Sequence, residues 1–185
     1  ADNGVWEVGE PTAGPDASHG GTQCAGTILG GNYSSDTDSR LFSPSVRFSD
    51  VSGDDEIHLR FWQWFSYSTD DAGYIQISVY DDTSKEWSDW TTVGNTITGV
   101  SNAWSLGDID LTTYSGKKVR IAFYHTASDY WTGTDDVSTG WYIDDVQIIK
   151  KAPAFTGDFE SGWGDWGADN GVWEVGEPTA GPDAS

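Results

Sequence analysis

The chain reads as an all-β protein, a two-sheet antiparallel β-sandwich, and three observations point there. Apolar residues alternate with polar ones instead of recurring every three or four positions, which is the periodicity of a pleated strand rather than a helix. Clusters of Gly, Asp, Ser and Thr separate the apolar runs at spacings of about ten residues, the rhythm of a sandwich. Aromatic residues are abundant, with 11 Trp, 8 Tyr and 7 Phe, and large rings suit half-buried pleated surfaces.

Taken in order, short strands are expected at residues 5–8, 23–29 and 40–46. Residues 56–67 (EIHLRFWQWFSY) form the longest candidate. One face carries Ile57, Leu59, Phe61, Phe65 and Tyr67, interrupted by Gln63. The other begins polar at His58 and Arg60 and becomes aromatic at Trp62 and Trp64, so this strand should be central and covered on both sides. Residues 73–80 (GYIQISVY) alternate cleanly, with Tyr74, Gln76, Ser78 and Tyr80 opposed to Ile75, Ile77 and Val79. A turn at Asp81 to Ser84 leads to strands at 86–93, 96–100 and 105–111. The runs KVRIAFY (118–124) and WYIDDVQII (141–149) complete the set.

The formal net charge is −21, from 30 acidic and 9 basic residues. Phosphate backbones need basic surface, so nucleic acid is excluded as a partner. No apolar run is long enough to span a membrane as a helix, and no membrane insertion is expected. The acidity suits a solvated anionic surface, or carboxylates gathered around Ca²⁺. The lone Cys24 lies in a small, apolar stretch and reads as a buried hydrophobe that cannot staple its own domain. The absence of Met and of an apolar leader is what an internal segment of a longer chain would show.

Residues 1–18 (ADNGVWEVGEPTAGPDAS) recur without change as residues 168–185, a period of 167 residues. This suggests a tandem array of independent domains, since one period is long enough to bury its own core. The expected division is a main body at 1–151, a linker at 152–154 containing Pro153, and the opening segment of the next repeat at 155–185. That last segment is expected either to fold back on its own domain or to complete the next copy, head to tail.

Three blocks carry a family resemblance: DFESGWGDW (158–166), CAGTILGGNYSSDTDSRLFSPSV (24–46) and GWYIDDVQI (140–148). Together they resemble the jelly-roll modules of the MAM-like and cleaved-adhesin families, including gingipain-type adhesin and choice-of-anchor domains. The resemblance covers nearly a whole period once it is re-phased to begin at Phe155. It implies an extracellular or cell-surface jelly roll holding structural Ca²⁺, with an accessory or adhesive role. By the same resemblance Asp144 and Glu160 are the leading calcium ligands and Asp158 and Asp145 the second choices. Because successive strand residues face opposite ways, Asp144 and Asp145 should not both point into one site. Asp36 and Asp38 have the alternate spacing of an oxygen-rich loop, and Asp70–Asp71 and Asp135–Asp136 are further candidates, although each pair suits an Asx turn equally well.

Catalysis finds no support. His19, His58 and His125 are scattered, without metalloprotease spacing, and no nucleophile motif is present. The leading expectation is therefore a non-catalytic, calcium-stabilised repeat whose partners are neighbouring copies, forming a stalk or fibre. The alternative is a carbohydrate-binding module that stacks polysaccharide on Trp87, Trp90, Trp104, Tyr130 and Trp131, which lie near polar turns.

Overall fold

The computed structural model describes residues 5–128 and 137–152, and with them Phe159, Glu174 and Gly176. The chain divides into two compact units, Ala1–Lys151 and Ala152–Ser185. Among the described residues all strands belong to the first unit: β1 (Glu7–Gly9), β2 (Cys24–Gly26), β3 (Thr37–Phe42), β4 (Val46–Arg47), β5 (Glu56–Ser66), β6 (Ala72–Asp81), β7 (Glu86–Trp87), β8 (Thr91–Ile97), β9 (Ser105–Asp110), β10 (Lys118–Ala127) and β11 (Gly140–Lys151). A 3₁₀ turn at Thr112–Tyr114 is the one helical element among them.

Two antiparallel sheets result. The first has the order β1-β2-β11-β5-β9; the second has the order β3-β10-β6-β7, with β4 also on β10 and β8 also on β6. The expected two-sheet sandwich is thus present. Its core lies between Leu59, Phe61, Trp141 and Ile143 of the first sheet and Ile75, Ile77, Val119, Ile121 and Phe123 of the second. Phe123 meets both Phe61 and Trp141 edge-on, at ring centroid distances of 5.0 and 5.4 Å. Burying rings of this size supplies a large share of the apolar driving force, on the order of 2–3 kcal/mol for each side chain.

The polar interruption at Gln63 has a physical reason. Its side-chain oxygen accepts the indole N–H of the fully buried Trp141 at 3.0 Å, a donor that would otherwise be stranded in the core. β5 is covered on its second face as well. His19 stacks on Trp62 at 3.9 Å, and Trp104 donates from Nε1 to the carbonyl of Ala17 at 2.9 Å, so the segment after β1 lies over this face. Cys24 is buried, and burial pushes its thiol pKa up to about 11.

Three expectations need correction. Residues 86–93 are not one strand: pairing breaks at Ser88–Trp90, separating β7 from β8. Residues 96–100 are not a strand of their own, because β8 runs to Ile97 and Val100 makes only an isolated bridge with Ser66. Asp144 and Asp145 do converge. β11 shifts register between Asp144 and Gln147, and Asp145 takes a left-handed φ of 48°, so simple alternation fails at the bulge.

Candidate functional site

The second sheet turns one side to the core and the other outward. Along β10, Val119, Ile121, Phe123 and His125 are buried inward, which sends Lys118, Arg120, Ala122 and Tyr124 to the outer face. Along β6, Ile75 and Ile77 point in, while Tyr74, Gln76, Ser78 and Tyr80 point out. The pairing sets Lys118 beside Tyr80, Arg120 beside Ser78, Ala122 beside Gln76 and Tyr124 beside Tyr74. On the other side of β10, Phe42 and Arg40 of β3 align with Ala122 and Tyr124.

This outer face is aromatic and cationic. The Arg40 guanidinium lies 3.8 Å from the centre of the Tyr124 ring and 5.9 Å from Trp90. Its Nε donates to Gln76 Oε1 at 2.8 Å. Arg120 sits 4.0 Å from the Trp87 ring, 5.4 Å from Trp90 and 6.0 Å from Phe42. Lys118 sits 4.5 Å from Tyr80 and 5.8 Å from Trp87. Phe42 meets Trp90 at 6.4 Å and Tyr80 meets Trp87 at 5.2 Å. Ala122 and Ser78 have no exposed surface although they point away from the core. Their small size leaves room over the sheet, and Trp90, flanked by Phe42, Arg40 and Arg120, is placed to cover it.

The Trp pair is held by backbone geometry as well as by contact. The Ser88 amide donates to the Val79 carbonyl at 2.8 Å, and the Val79 amide donates back to Ser88 Oγ at 3.0 Å. Ser78 Oγ donates to the Ser88 carbonyl at 2.8 Å. The break between β7 and β8 is thereby pinned to β6, and the rings on either side of it, Trp87 and Trp90, keep fixed positions.

At one end of the face Tyr74 and Tyr124 pack together at 6.2 Å. Tyr124 borders a cavity of about 540 Å³ lined also by Asp36, Thr37, Asp38 and Thr126. Tyr74 borders another of about 400 Å³, lined in part by Ser68, Asp70, Asp71 and Thr96. Burial, and then the Asp38 carboxylate, raise the Tyr124 pKa. Beneath this end Tyr67 is buried, and burial pushes its pKa well up. Its hydroxyl lies 3.2 Å from Nδ1 of His125, a residue with no exposed surface.

The candidate residues therefore separate. Trp87 and Trp90 come together on the outer face. Trp104 lies just ahead of β9 of the other sheet, where it clamps the segment after β1 and contacts His19 edge-on at 6.0 Å. Tyr130 and Trp131 lie outside the described residues, as do Glu160, Asp158 and the pair Asp135–Asp136. Asp36 and Asp38 share the larger cavity, Asp36 with a left-handed φ of 52° and Asp38 accepting from the Tyr124 hydroxyl at 3.5 Å. Asp70 and Asp71 divide: Asp70 is exposed, and Asp71 is buried in hydrogen bonds. Phe42, Tyr74, Tyr80, Tyr124, Arg40, Lys118 and Arg120 complete the face and were not singled out as site residues.

Asp144 accepts the Gly20 amide at Oδ2 (3.0 Å) and the Asp145 amide at Oδ1 (2.8 Å). Asp145 pairs with His19 Nδ1 at 2.7 Å. Calcium takes six to eight oxygens, and among the described residues no group of three His, Cys, Asp or Glu is placed to hold a metal. Both carboxylate oxygens of Asp144 are thus already engaged by backbone amides.

No family model matches the chain. Bacillopeptidase F of Bacillus subtilis (strain 168) is 30% identical over 154 residues, an alignment covering 83% of this chain and 10% of that protein. The chain thus spans about a tenth of the length of this curated relative. Among solved structures, a family 61 carbohydrate-binding module in complex with β-1,4-galactotriose is 15% identical with a TM-score of 0.44, over 81% of this chain and 85% of that one. A family 16 carbohydrate-binding module is 14% identical with a TM-score of 0.46, over 80% and 89%. A family 22 xylan-binding domain from Paenibacillus barcinonensis is 14% identical with a TM-score of 0.43, over 81% and 94%. These likenesses assign no residue a role.

Proposed function

We propose that the domain is a non-catalytic, extracellular polysaccharide-binding module and that the ligand lies on the outer face of the second sheet. The observation that carries this reading is the pinned Trp87–Trp90 pair, half-buried among Phe42, Tyr80, Arg40 and Arg120 on the outer face of the second sheet. Ring faces offer apolar contact to the C–H surface of a sugar, and the surrounding Arg, Lys and Gln donors suit its hydroxyls. Rings fixed in advance lose little conformational freedom on binding. The histidines do not suggest catalysis. His58 is held by Asp108 and Glu56, His19 by Asp145 and Trp62, and His125 is sealed in the core.

The test is retardation in native gels cast with soluble polysaccharides (β-1,4-galactan, xylan, polygalacturonate). The folded protein is expected to be retarded by at least one of them. Trp87→Ala together with Trp90→Ala should weaken that retardation roughly tenfold or more while leaving a cooperative melt. Unchanged retardation of the melted-as-normal double variant would overturn the assignment of this face.

A specific observation favours a second role, head-to-tail assembly between copies. Residues 5–18 occupy a defined seat on the first sheet. The Trp6 ring lies 6.2 Å from Trp141, Glu7 Oε2 accepts the Leu29 amide at 2.8 Å, and the amides of Thr12 and Ala13 donate to the Leu29 carbonyl at 2.7 and 3.0 Å. Residues 168–185 repeat residues 1–18, so this seat suits both copies of the segment. We propose that residues 172–185 take this seat on a neighbouring copy by displacing that copy's own residues 5–18, in a stalk or fibre to which calcium would contribute through Glu160 and Asp158 alongside Asp144. Sedimentation of the 185-residue chain should show concentration-dependent oligomers that are lost in Trp173→Ala. A protein that stays monomeric at every concentration would refute assembly.

A further inference from the structure

We propose that the polysaccharide bound on the outer face is acidic, carrying carboxylates on its sugar rings. The inference rests on the polysaccharide-binding reading of that face. Its starting point is where the chain puts its few cations. Of 9 basic residues in a chain of net charge −21, Arg40, Lys118 and Arg120 stand together among the rings of one sheet face.

The surroundings of Lys118 and Arg120 differ from those of Arg47, Arg60, Lys150 and Lys151. Arg47 pairs with Asp82 at 2.8 Å, Arg60 with Asp108 at 3.5 Å, Lys150 with Asp55 at 2.6 Å and Lys151 with Glu56 at 3.7 Å. Among the described residues Lys118 and Arg120 have no carboxylate within ion-pair distance, although the chain has 30 acids to offer. They lie against aromatic faces instead, at 4.5 Å for Lys118 on Tyr80 and 4.0 Å for Arg120 on Trp87. Asp82, which lies close enough to Lys118 to feel its charge, is already taken by Arg47.

Arg120 shows the feature most clearly. Its Nε, like that of Arg60, is buried and has no hydrogen-bond partner, but Arg60 has the Asp108 carboxylate nearby and Arg120 has none among the described residues. A buried donor without an acceptor is costly, and a guanidinium presents its N–H groups in a planar fork that matches a carboxylate with two parallel bonds. Stacking on Trp87 at 4.0 Å orients that fork. Lys118, two residues away on the same side of β10, adds a second positive centre about 7 Å along the strand. A neutral glycan would need the rings and the hydroxyl partners but not these charges. A carboxylated chain laid along β10 uses all three kinds of group.

The net negative charge of the protein opposes a polyanion at long range. At about 0.15 M salt the Debye length is ~8 Å, which screens remote acids while leaving contact pairs effective. Sulfate esters share the oxyanion chemistry, so the test must separate them from carboxylates.

The experiment is affinity electrophoresis of the full chain at that salt against polygalacturonate, its methyl ester, dextran sulfate and neutral β-1,4-galactan. Polygalacturonate is expected to retard the protein roughly tenfold more effectively than its ester. Arg120→Gln, and separately Lys118→Gln, should remove most of that preference while keeping a cooperative melt. Arg120→Lys should restore it only in part, because Lys keeps the charge without the fork. Equal retardation by acid and ester would overturn the inference and leave the polysaccharide-binding reading standing. Stronger retardation by dextran sulfate would overturn the carboxylate assignment. Retardation by none of the four would overturn both.

Discussion

Tyr33 donates its phenolic hydrogen to Asp71 Oδ2 at 2.6 Å, joining the segment ahead of β3 to the turn ahead of β6. The other oxygen of Asp71 accepts the amide and hydroxyl of Ser128, just past β10, at 2.8 and 3.2 Å. Tyr33 Oη also accepts the Ser68 amide at 3.0 Å. One buried carboxylate thus ties together three segments at the end of the sheet where Tyr74 and Tyr124 lie. Tyr33→Phe keeps the ring but leaves Asp71 and the Ser68 amide each short of a partner. A loss of about 1–3 kcal/mol is expected, read as a lower urea midpoint with an unchanged denaturant slope.

Gly73 faces Trp141 across the core, and a Cβ there would lie 2.6 Å from Cε3 and 2.7 Å from Cζ3 of the indole. Neither group can retreat easily, because Trp141 is fully buried and its N–H is tied to Gln63. Gly73→Ala is therefore expected to destabilise the domain by about 1–3 kcal/mol through overpacking. The intrinsic fluorescence should also shift as the indole is displaced. A fully stable Gly73→Ala protein would show that the two sheets separate more readily than their packing implies.

How far these features could be read from sequence depends on the kind of information each requires. Strict alternation in GYIQISVY and KVRIAFY marked the inward and outward residues of β6 and β10. It could not say that these two strands, some forty residues apart in sequence, would pair and pool their outer residues. Trp87 and Trp90 were legible as rings near a polar turn. Trp104 shares that local signature yet lies beside the other sheet, because its partner, Ala17, is 87 residues away. Gln63 stood out as a polar break in an apolar face, but its partner Trp141 could come only from the fold. The convergence of Asp144 and Asp145 was hidden, since a bulge leaves no mark in the hydrophobic pattern. The positive φ of Asp145 is carried by a residue that tolerates that conformation without being glycine.

Asp144 anchors the segment around Gly20 through its acceptor bonds, and His19 is held there by Asp145. Asp144→Ala should release this segment at a loss of about 1–2 kcal/mol, with His19 and Trp62 becoming more accessible to quenchers. This anchoring needs no ion, so the loss should persist in chelator-treated protein. Repeating the denaturation in excess calcium isolates any additional contribution of a cation bound at Asp144. A variant as stable as the parent in chelator would show that the anchoring bonds contribute little.

Two histidines should tilt the pH dependence of stability in opposite directions. Burial lowers the His125 pKa from 6.5 to about 4, opposed only partly by the Asp71 charge. The unfolded chain then binds a proton between about pH 6.5 and pH 4 that the folded chain refuses. Its contribution is present above pH 6.5 and is lost as pH falls through that window, at no more than about 1.4 kcal/mol per pH unit. For His58, burial also favours the neutral ring, but hydrogen bonds to Asp108 and Glu56 outweigh it and leave the pKa raised. Its contribution is therefore complete below pH 6.5 and disappears as pH rises through the raised value. Urea denaturation from pH 4.5 to 8 separates the two. His125→Gln should flatten the acid-side loss. His58→Gln should lower stability most at the acid end and converge with the parent at high pH. A His125→Gln protein that kept the full acid-side slope would locate that proton uptake at other groups.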